Sequence, residues 1–516
     1  MAASTVASRV TGFGRVLALA YALSFTRLSD AYNLANTTPN IVYTLVLGGV
    51  LAATLVPVFV ETLANARTEE DAWHALSAVV TIATITLIAV SAMLALAAPD
   101  IVKIYSFRLH GVAASDQRAV AGTLLRLFAP QVAFYGVITL CTALLNAKRR
   151  FVAPMITPVL NNLVVIGVLL ATPHVAGSLA IGTLRHDNAA LLLLGAGTTA
   201  GVAVQAAALV VAMRGAGVRV RPVWAPRHAV VQQVLRLSGW TIGYVAINQI
   251  GLWVVLALAN GEAGDVSAYQ AAYTFFQLPY AIVAVTAITI LVPELARRWI
   301  KADVAAFREV VSHGLRMIVF LVLPGAIGYA AFGTQVVRAT LEHGAFSPAS
   351  ATRTGGVLGW MALGLPAFAS YLFLMSAYQA MQNTRTMFLI YCAENAANIV
   401  FAVVLYPSMG ARGLALAFAA AYVVGCGAAF ADMRRRVGPL DLLLPTGRIA
   451  LAGGAAALAG WLTLFVGFHD DSSVPGSAAA AVIGGGVYLV AARRLGVSEL
   501  QDVVALIRRK AAAHTP

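Results

Sequence analysis

Residues 76–98, LSAVVTIATITLIAVSAMLALAA, run for 23 positions without one charged side chain. At 1.5 Å of rise per residue such a helix is about 35 Å long, enough to cross the roughly 30 Å hydrocarbon core of a bilayer. Thirteen further apolar runs lie on either side of it, at 4–26, 33–60, 119–145, 153–173, 189–213, 232–259, 267–294, 314–334, 356–382, 386–406, 412–432, 448–468 and 476–493. The whole chain of 516 residues is 60% hydrophobic and 11% charged, with a mean hydropathy of +0.82. A soluble domain is about 45–50% apolar and about 25% charged. Too few charges remain to cover so much apolar surface in water. The composition therefore excludes a secreted, nucleic-acid-binding or disordered protein, despite a net charge of +14. It predicts an all-α, polytopic integral membrane protein of about 14 transmembrane helices.

Orientation follows from the distribution of Lys and Arg. With the N-terminus inside, 23 of the 35 fall in inner loops and the C-terminal tail, 8 in outer loops, and four (Arg9, Arg15, Arg126, Arg236) in or at the ends of apolar segments. Both termini are expected in the cytoplasm, and the basic excess is topological, with adhesion to membrane lipids secondary. The first apolar run is interrupted by Arg15 with no basic region ahead of it, unlike a cleavable signal. Connections are short, the longest being 99–118 and 335–355, which leaves no room for an extramembrane domain. The tail from 496 reads as a cytoplasmic amphipathic helix. Ser498 and Gln501 form a capping-box pattern, and Val503, Val504 and Ile507 share a face above Arg508, Arg509 and Lys510. Cys141, Cys392 and Cys426 all lie in apolar stretches, so no disulfide framework is implied.

The chain also repeats itself. A shift of 237 residues superposes Ala31-Tyr32 on Ala268-Tyr269, Asn146 on Asn383, Phe151 on Phe388 and Asn161 on Asn398. Six helices separate the paired elements, an even number, so the halves share one orientation and form a parallel repeat. The expected organisation is an N-lobe of helices 1–6 (1–228), a C-lobe of helices 7–12 (229–437), two added helices (438–495) and the tail (496–516). Two six-helix lobes in a membrane suggest a transporter, with substrate expected where the repeats meet.

Charges inside spans are the functional pointers, since each costs about 2.5–3.5 kcal/mol at a helix centre. Arg9 and Arg15 stand six residues apart on the first helix and project about 120° apart, suiting a wide cavity wall or, for Arg9, snorkelling to headgroups. Asp30 is either an N-cap of the second helix or a gating partner for an arginine. Pro39-Asn40 predicts a kink in that helix. Arg126, ahead of Pro130, is a candidate cavity cation or one half of a structural pair. Glu394 and Asn398 share a helix face at i and i+4 and offer oxygen ligands for Na⁺ or a proton; the alternative is a carboxylate bonded to a neighbouring helix. Enzyme motifs are not found. No P-loop is present, and Gly195-Ala-Gly-Thr-Thr-Ala-Gly201 misses the dinucleotide spacing and reads as helix packing.

Arg9-Val-Thr-Gly-Phe-Gly-Arg15, Ser29-Asp-Ala-Tyr-Asn-Leu-Ala35, Pro39-Asn40 and Leu47-Gly-Gly-Val-Leu51 with Val56-Pro57 resemble the opening of the MurJ (MviN) lipid II flippase family. The likeness continues through Leu145-Asn-Ala-Lys-Arg-Arg-Phe151, Pro154, Pro158, Asn162, Leu291-Val-Pro293, Leu341-Glu-His-Gly-Ala-Phe346 and Ala380-Met-Gln-Asn-Thr-Arg385, in order along nearly the whole chain. The resemblance implies a non-enzymatic transporter of the superfamily that includes multidrug and polysaccharide-unit exporters. It would move the undecaprenyl-pyrophosphate-linked peptidoglycan precursor, lipid II, from the inner to the outer leaflet of the bacterial cytoplasmic membrane by alternating access. Cell-wall synthesis machinery would be its partner, and Na⁺ or H⁺ its candidate coupling ion, with no other cofactor. Arg9, Arg15 and Asp30 would match functionally important family residues, with the arginines lining a cationic cavity. The candidate substrate contacts are thus Arg9, Arg15, Asp30, Asn40, Arg126 and Asn162, and helices 13 and 14 would shape a groove for the lipid tail. Two positions depart from the pattern: Tyr43 and Thr274 stand where many relatives carry arginine. The competing expectations are a flippase for another lipid-linked polysaccharide unit and a drug exporter of the same architecture.

Overall fold

The computed structural model describes residues 2–45, 55–440, 443–468 and 474–500. The motif at 47–51 and the tail beyond residue 500 lie outside the described residues. All regular structure among the described residues is helical. The first ten helices are α1 (Ala2–Leu23), α2 (Arg27–Tyr43), α3 (Val56–Asn65), α4 (Glu69–Tyr105), α5 (Gly111–Phe128), α6 (Gln131–Ala147), α7 (Val152–Val175), the single turn α8 (Ile181–Leu184), α9 (Asn188–Gly215) and α10 (Ala229–Ala259). They are followed by α11 (Asp265–Pro279), a π-helical turn at Tyr280–Ala284, α12 (Val285–Ile300), α13 (Val304–Leu341), α14 (Pro348–Ala362) and α15 (Leu365–Ala380). The last four are α16 (Thr384–Met409), α17 (Ala411–Val437), α18 (Leu443–Leu462) and α19 (Val474–Arg494). Among the described residues nine helices are long and apolar enough to cross a membrane, or ten if α14 and α15, bent by 50°, form one span. The chain is a multi-pass membrane protein.

Two compact units are formed, Met1–Ser267 with His343–Ser347, and Ala268–Glu342 with Pro348–Pro516. In the first unit α10 packs through Val231 and Val234 onto a cluster of Leu55, Phe59, Trp73 and Leu76. The long helix α4 opens with Thr68, whose Oγ1 accepts from the Asp71 amide at 3.1 Å, and with three acidic residues at the positive end of the helix dipole. It does not stop at Pro99 but continues to Tyr105. The expected connection 99–118 is therefore largely helix, as is 335–355, where α13 runs on to Leu341 and α14 opens at Pro348. Leaving the apolar core removes the need for apolar side chains, not the need to satisfy backbone carbonyls. Here Ser106 Oγ donates to the Val102 carbonyl at 2.7 Å, and Arg118 donates to the Ser106 and Leu109 carbonyls.

The expected span 119–145 falls within one span, 114–147, whose helix is interrupted at Ala129-Pro130 between α5 and α6. Proline lacks the amide proton that would continue the ladder. Carbonyls at the break find hydroxyl donors on neighbouring helices: Ser91 Oγ donates to Ala129 at 2.8 Å, and Thr199 Oγ1 donates to Leu127 at 2.7 Å. In lipid, where water cannot serve, this is what allows the break.

The second unit is closed by small residues and by a clasp. A Cβ added at Gly355 of α14 would sit 2.2 Å from the Thr334 Cα of α13, and one at Gly333 would sit 2.8 Å from the Gly355 carbonyl oxygen. Only glycine permits this approach. Gly355→Ala is expected to force α13 and α14 apart at a cost of about 1–3 kcal/mol, read as a lower melting midpoint of the detergent-purified protein. At the other end of α13, Arg316 Nε donates to Glu499 Oε1 at 2.9 Å, and Glu499 is 0% exposed. Val497 and Leu500 join Phe320, Ile449 and Tyr488 in one cluster. The Tyr488 hydroxyl donates to the Phe320 carbonyl at 2.7 Å, and the two rings stack at 5.5 Å. Farther along the same helices lies an apolar groove of about 410 Å³, lined by Gly325, Tyr329, Phe332 and Val336 of α13 and Ser477 and Ala481 of α19.

Candidate substrate face and buried carboxylates

The two arginines of α1 differ in setting: Arg9 is exposed and Arg15 half-buried. Their helix is held against α7 by Asn162, whose Nδ2 donates to Thr11 Oγ1 at 3.0 Å and approaches the Ser8 carbonyl at 3.4 Å. Asn162 therefore acts on the arginines by fixing the helix that carries them. Arg15 lies in electrostatic reach of the Tyr135 hydroxyl on α6. Asn40 is exposed on α2, its Oδ1 accepting from Thr44 Oγ1 at 3.3 Å, and α2 runs through Pro39 as far as Tyr43. Arg126 is exposed near the end of α5.

Asp30 is 0% exposed and fully engaged. Its Oδ2 accepts from the Gly264 amide at 2.6 Å, and its Oδ1 accepts from the Ser267 amide at 2.9 Å and the Ser267 hydroxyl at 2.8 Å. It caps the turn that opens α11, not its own helix, where the Thr26 amide instead donates to Ser29 Oγ at 2.8 Å. One turn earlier Arg27 donates to the carbonyls of Asn260 and Gly261 at 2.9 and 3.0 Å. Asn260 is tied in turn to Gln117 Nε2 at 2.6 Å and to the Tyr105 carbonyl at 3.1 Å. The connection 260–267 is thus pinned within the first unit by an acid on its donors and an arginine on its acceptors, each placed to match the local dipole. The pairing of Asp30 with residues 234 and 237 positions away carries no local sequence signal. Arg27, Gln117, Asn260 and Ser267 escaped the sequence reading for that reason.

In the second unit Glu394, Asn395 and Asn398 are buried on α16. Glu394 Oε2 accepts from Asn395 Nδ2 at 2.7 Å. Asn398 Oδ1 has no hydrogen-bond partner among the described residues. Tyr371, Tyr391 and Tyr422 pack edge to face here, at 5.3 and 5.6 Å from ring to ring. Gly425 allows close approach, since a Cβ there would meet Glu394 and Tyr371 at 3.0 Å. No cluster of three His, Cys, Asp or Glu side chains suited to a metal occurs among the described residues.

Helices long and apolar enough to cross a bilayer repeatedly, with a half-buried arginine and the buried carboxylates Asp30 and Glu394 among them, define a polytopic transporter. Solved structures share the fold. One described as lipid II flippase MurJ in an inward closed conformation superposes with a TM-score of 0.78 at 19% identity, covering 98% of this chain and 99% of the other. A multidrug resistance MATE family transporter of the MOP superfamily, inward-facing, superposes with a TM-score of 0.67 at 13% identity, covering 84% and 95%. The chain belongs to the lipid II flippase MurJ family, whose sequence model matches residues 19–479. A relative from Rhizobium meliloti (strain 1021), named "Probable lipid II flippase MurJ", is 28% identical over 99% of this chain and 95% of its own length. One from Burkholderia cenocepacia, named "Lipid II flippase MurJ", is 25% identical over 84% and 82%.

Proposed function

We propose that this protein carries lipid II from the inner to the outer leaflet of a bacterial cytoplasmic membrane by alternating access, for peptidoglycan synthesis, and that it does so without catalysing a reaction. The observation that carries this reading is the family match along nearly the whole chain together with Arg15 half-buried on α1. A pyrophosphate cannot cross hydrocarbon unaided, and a guanidinium recognises phosphate through paired, charge-assisted hydrogen bonds. Arg15 and Arg9 hold the headgroup, and the apolar groove between α13 and α19 takes part of the lipid tail, in keeping with the role assigned to residues 438–495. Both termini face the cytoplasm, as the Lys and Arg distribution supports. An inside-negative potential favours outward passage of the anion by about 2.3 kcal/mol per charge per 100 mV.

A coupling cation, Na⁺ or H⁺, belongs at Glu394 with Asn398. One carboxylate and an amide oxygen lacking a donor, a helical turn apart, suit a monovalent hard cation. Asn395 orients the carboxylate from beside it. Cell-wall synthesis enzymes on the outer face are the natural recipients of the cargo.

The test is depletion in the native bacterium with a leaflet-accessibility assay for lipid II. Precursor should accumulate on the inner leaflet on depletion and be restored to the outer one by re-expression. Normal appearance of lipid II outside without the protein would overturn the reading and leave another lipid-linked polysaccharide unit, or a drug, as cargo.

A further inference from the structure

One polar stripe in the first unit is not accounted for by the arginines or by the pinned outer turn. Gln131, Tyr135 and Thr139 stand at i, i+4 and i+8 on α6 and so share one face over about 12 Å. Tyr43 of α2 meets that face. Its hydroxyl is hydrogen-bonded to Thr139 Oγ1, and its ring lies 5.6 Å from that of Tyr135, tilted by 47°. The Tyr135 hydroxyl donates to Gln131 Oε1 at 3.1 Å, and Gln131 Nε2 donates to Thr199 Oγ1 at 3.2 Å. Thr199 is itself anchored on the Leu127 carbonyl freed at the Pro130 break. The stripe is thus oriented from its buried end, while Tyr43, Tyr135, Thr139 and Arg15 are half-buried.

The chemistry of this face is specific. Two tilted rings offer flat apolar surfaces of the kind that pack on the C–H face of a pyranose, and their hydroxyls, with that of Thr139, exchange hydrogen bonds with sugar hydroxyls. No member of the stripe is charged, so none competes with Arg15 for an anion. A cation beside an uncharged aromatic and hydroxyl surface matches a sugar joined to a phosphate.

We propose that Tyr43, Tyr135 and Thr139 form a sugar-binding subsite beside Arg15, which contacts the adjoining phosphate; this rests on the reading that the cargo is a lipid-linked sugar pyrophosphate. The test uses the full chain in lipid nanodiscs, titrated with two probes: lipid II, and undecaprenyl pyrophosphate, which has the same lipid and phosphates but no sugar. Tyr135→Ala is expected to weaken lipid II binding about tenfold and leave undecaprenyl pyrophosphate within about twofold, whereas Arg15→Ala weakens both. Tyr43→Phe and Thr139→Val keep side-chain volume and decide the matter if the alanine variant does not fold. Each should weaken lipid II about threefold or more with the other probe unmoved. Equal loss of both probes in the tyrosine and threonine variants, or no loss of either, overturns the subsite. So does a wild type that binds the two probes equally. A wild type that binds neither probe overturns the transport reading itself.

Discussion

Arg15→Ala is expected to reduce lipid II transport by between about ten- and a hundredfold while the protein still reaches the membrane at wild-type levels. A hydrogen bond to a charged group contributes about 1.5–3 kcal/mol, and each 1.4 kcal/mol is a factor of ten. Arg15 is half-buried on α1 and in electrostatic reach of Tyr135, where a phosphate is screened less than it would be in water. Stability should change little, because the packing of α1 on α7 runs through Thr11 and Asn162 on other positions of the helix. Arg15→Lys should fall between alanine and wild type, since it keeps the charge but loses the planar fork. Leaflet accessibility in depleted cells, with immunoblots of the membrane fraction, checks all three. Wild-type flipping by Arg15→Ala would remove the headgroup contact from this residue.

The second large effect is expected at Asp30. Replacing it with alanine leaves the Gly264 and Ser267 amides without their acceptor in a buried turn, while the Ser267 hydroxyl keeps Ser29 Oγ at 3.0 Å. Each abandoned donor costs about 1–3 kcal/mol, so the turn should open at least about thirtyfold more often than in the wild type. Hydrogen exchange followed by mass spectrometry across 260–270 reads this directly as lost protection at Gly264 and Ser267. Asp30→Asn retains one acceptor oxygen but turns an NH₂ toward other donors, and should lose protection to an intermediate degree. Unchanged exchange in Asp30→Ala would mean that the turn is held elsewhere, with Arg27 on the Asn260 and Gly261 carbonyls as the remaining tie.

The contrast between Asp30 and the charge-free run at 76–98 shows what the sequence makes legible. An uncharged run of that length has one low-energy fate in a cell, and every apolar run expected to span is helical over most of its described part. Helix ends were harder, because α4 and α13 continue into their connections on side-chain hydrogen bonds that hydropathy does not register. The interruption before α6 falls at Pro130, inside a run that hydropathy reads as one span, and the two hydroxyls on other helices that support it carry no local signal. Arg15 stood out because a cation in a span is costly wherever it points. Asp30 stood out for its charge, yet its partners lie more than 230 residues away and only the fold assembles them. Asn162, a candidate ligand contact by resemblance, joins two helices, a role that depends on a partner 151 residues away. The spacing of Gln131, Tyr135 and Thr139 was readable as a polar face in an apolar segment, and gained meaning only when Tyr43 met it.

The Arg316–Glu499 clasp has a practical bearing on how this protein is handled. Residues 497–500 are seated in the same apolar cluster that fixes α19 along α13, and the groove opens between those two helices farther along. A reporter or affinity handle fused directly after Arg494 would evict Glu499 and release one end of the lever that sets the groove's width. Handles belong beyond Leu500, and a shortened chain that still expresses would be a poor stand-in for the intact one in any assay that depends on the lipid tail.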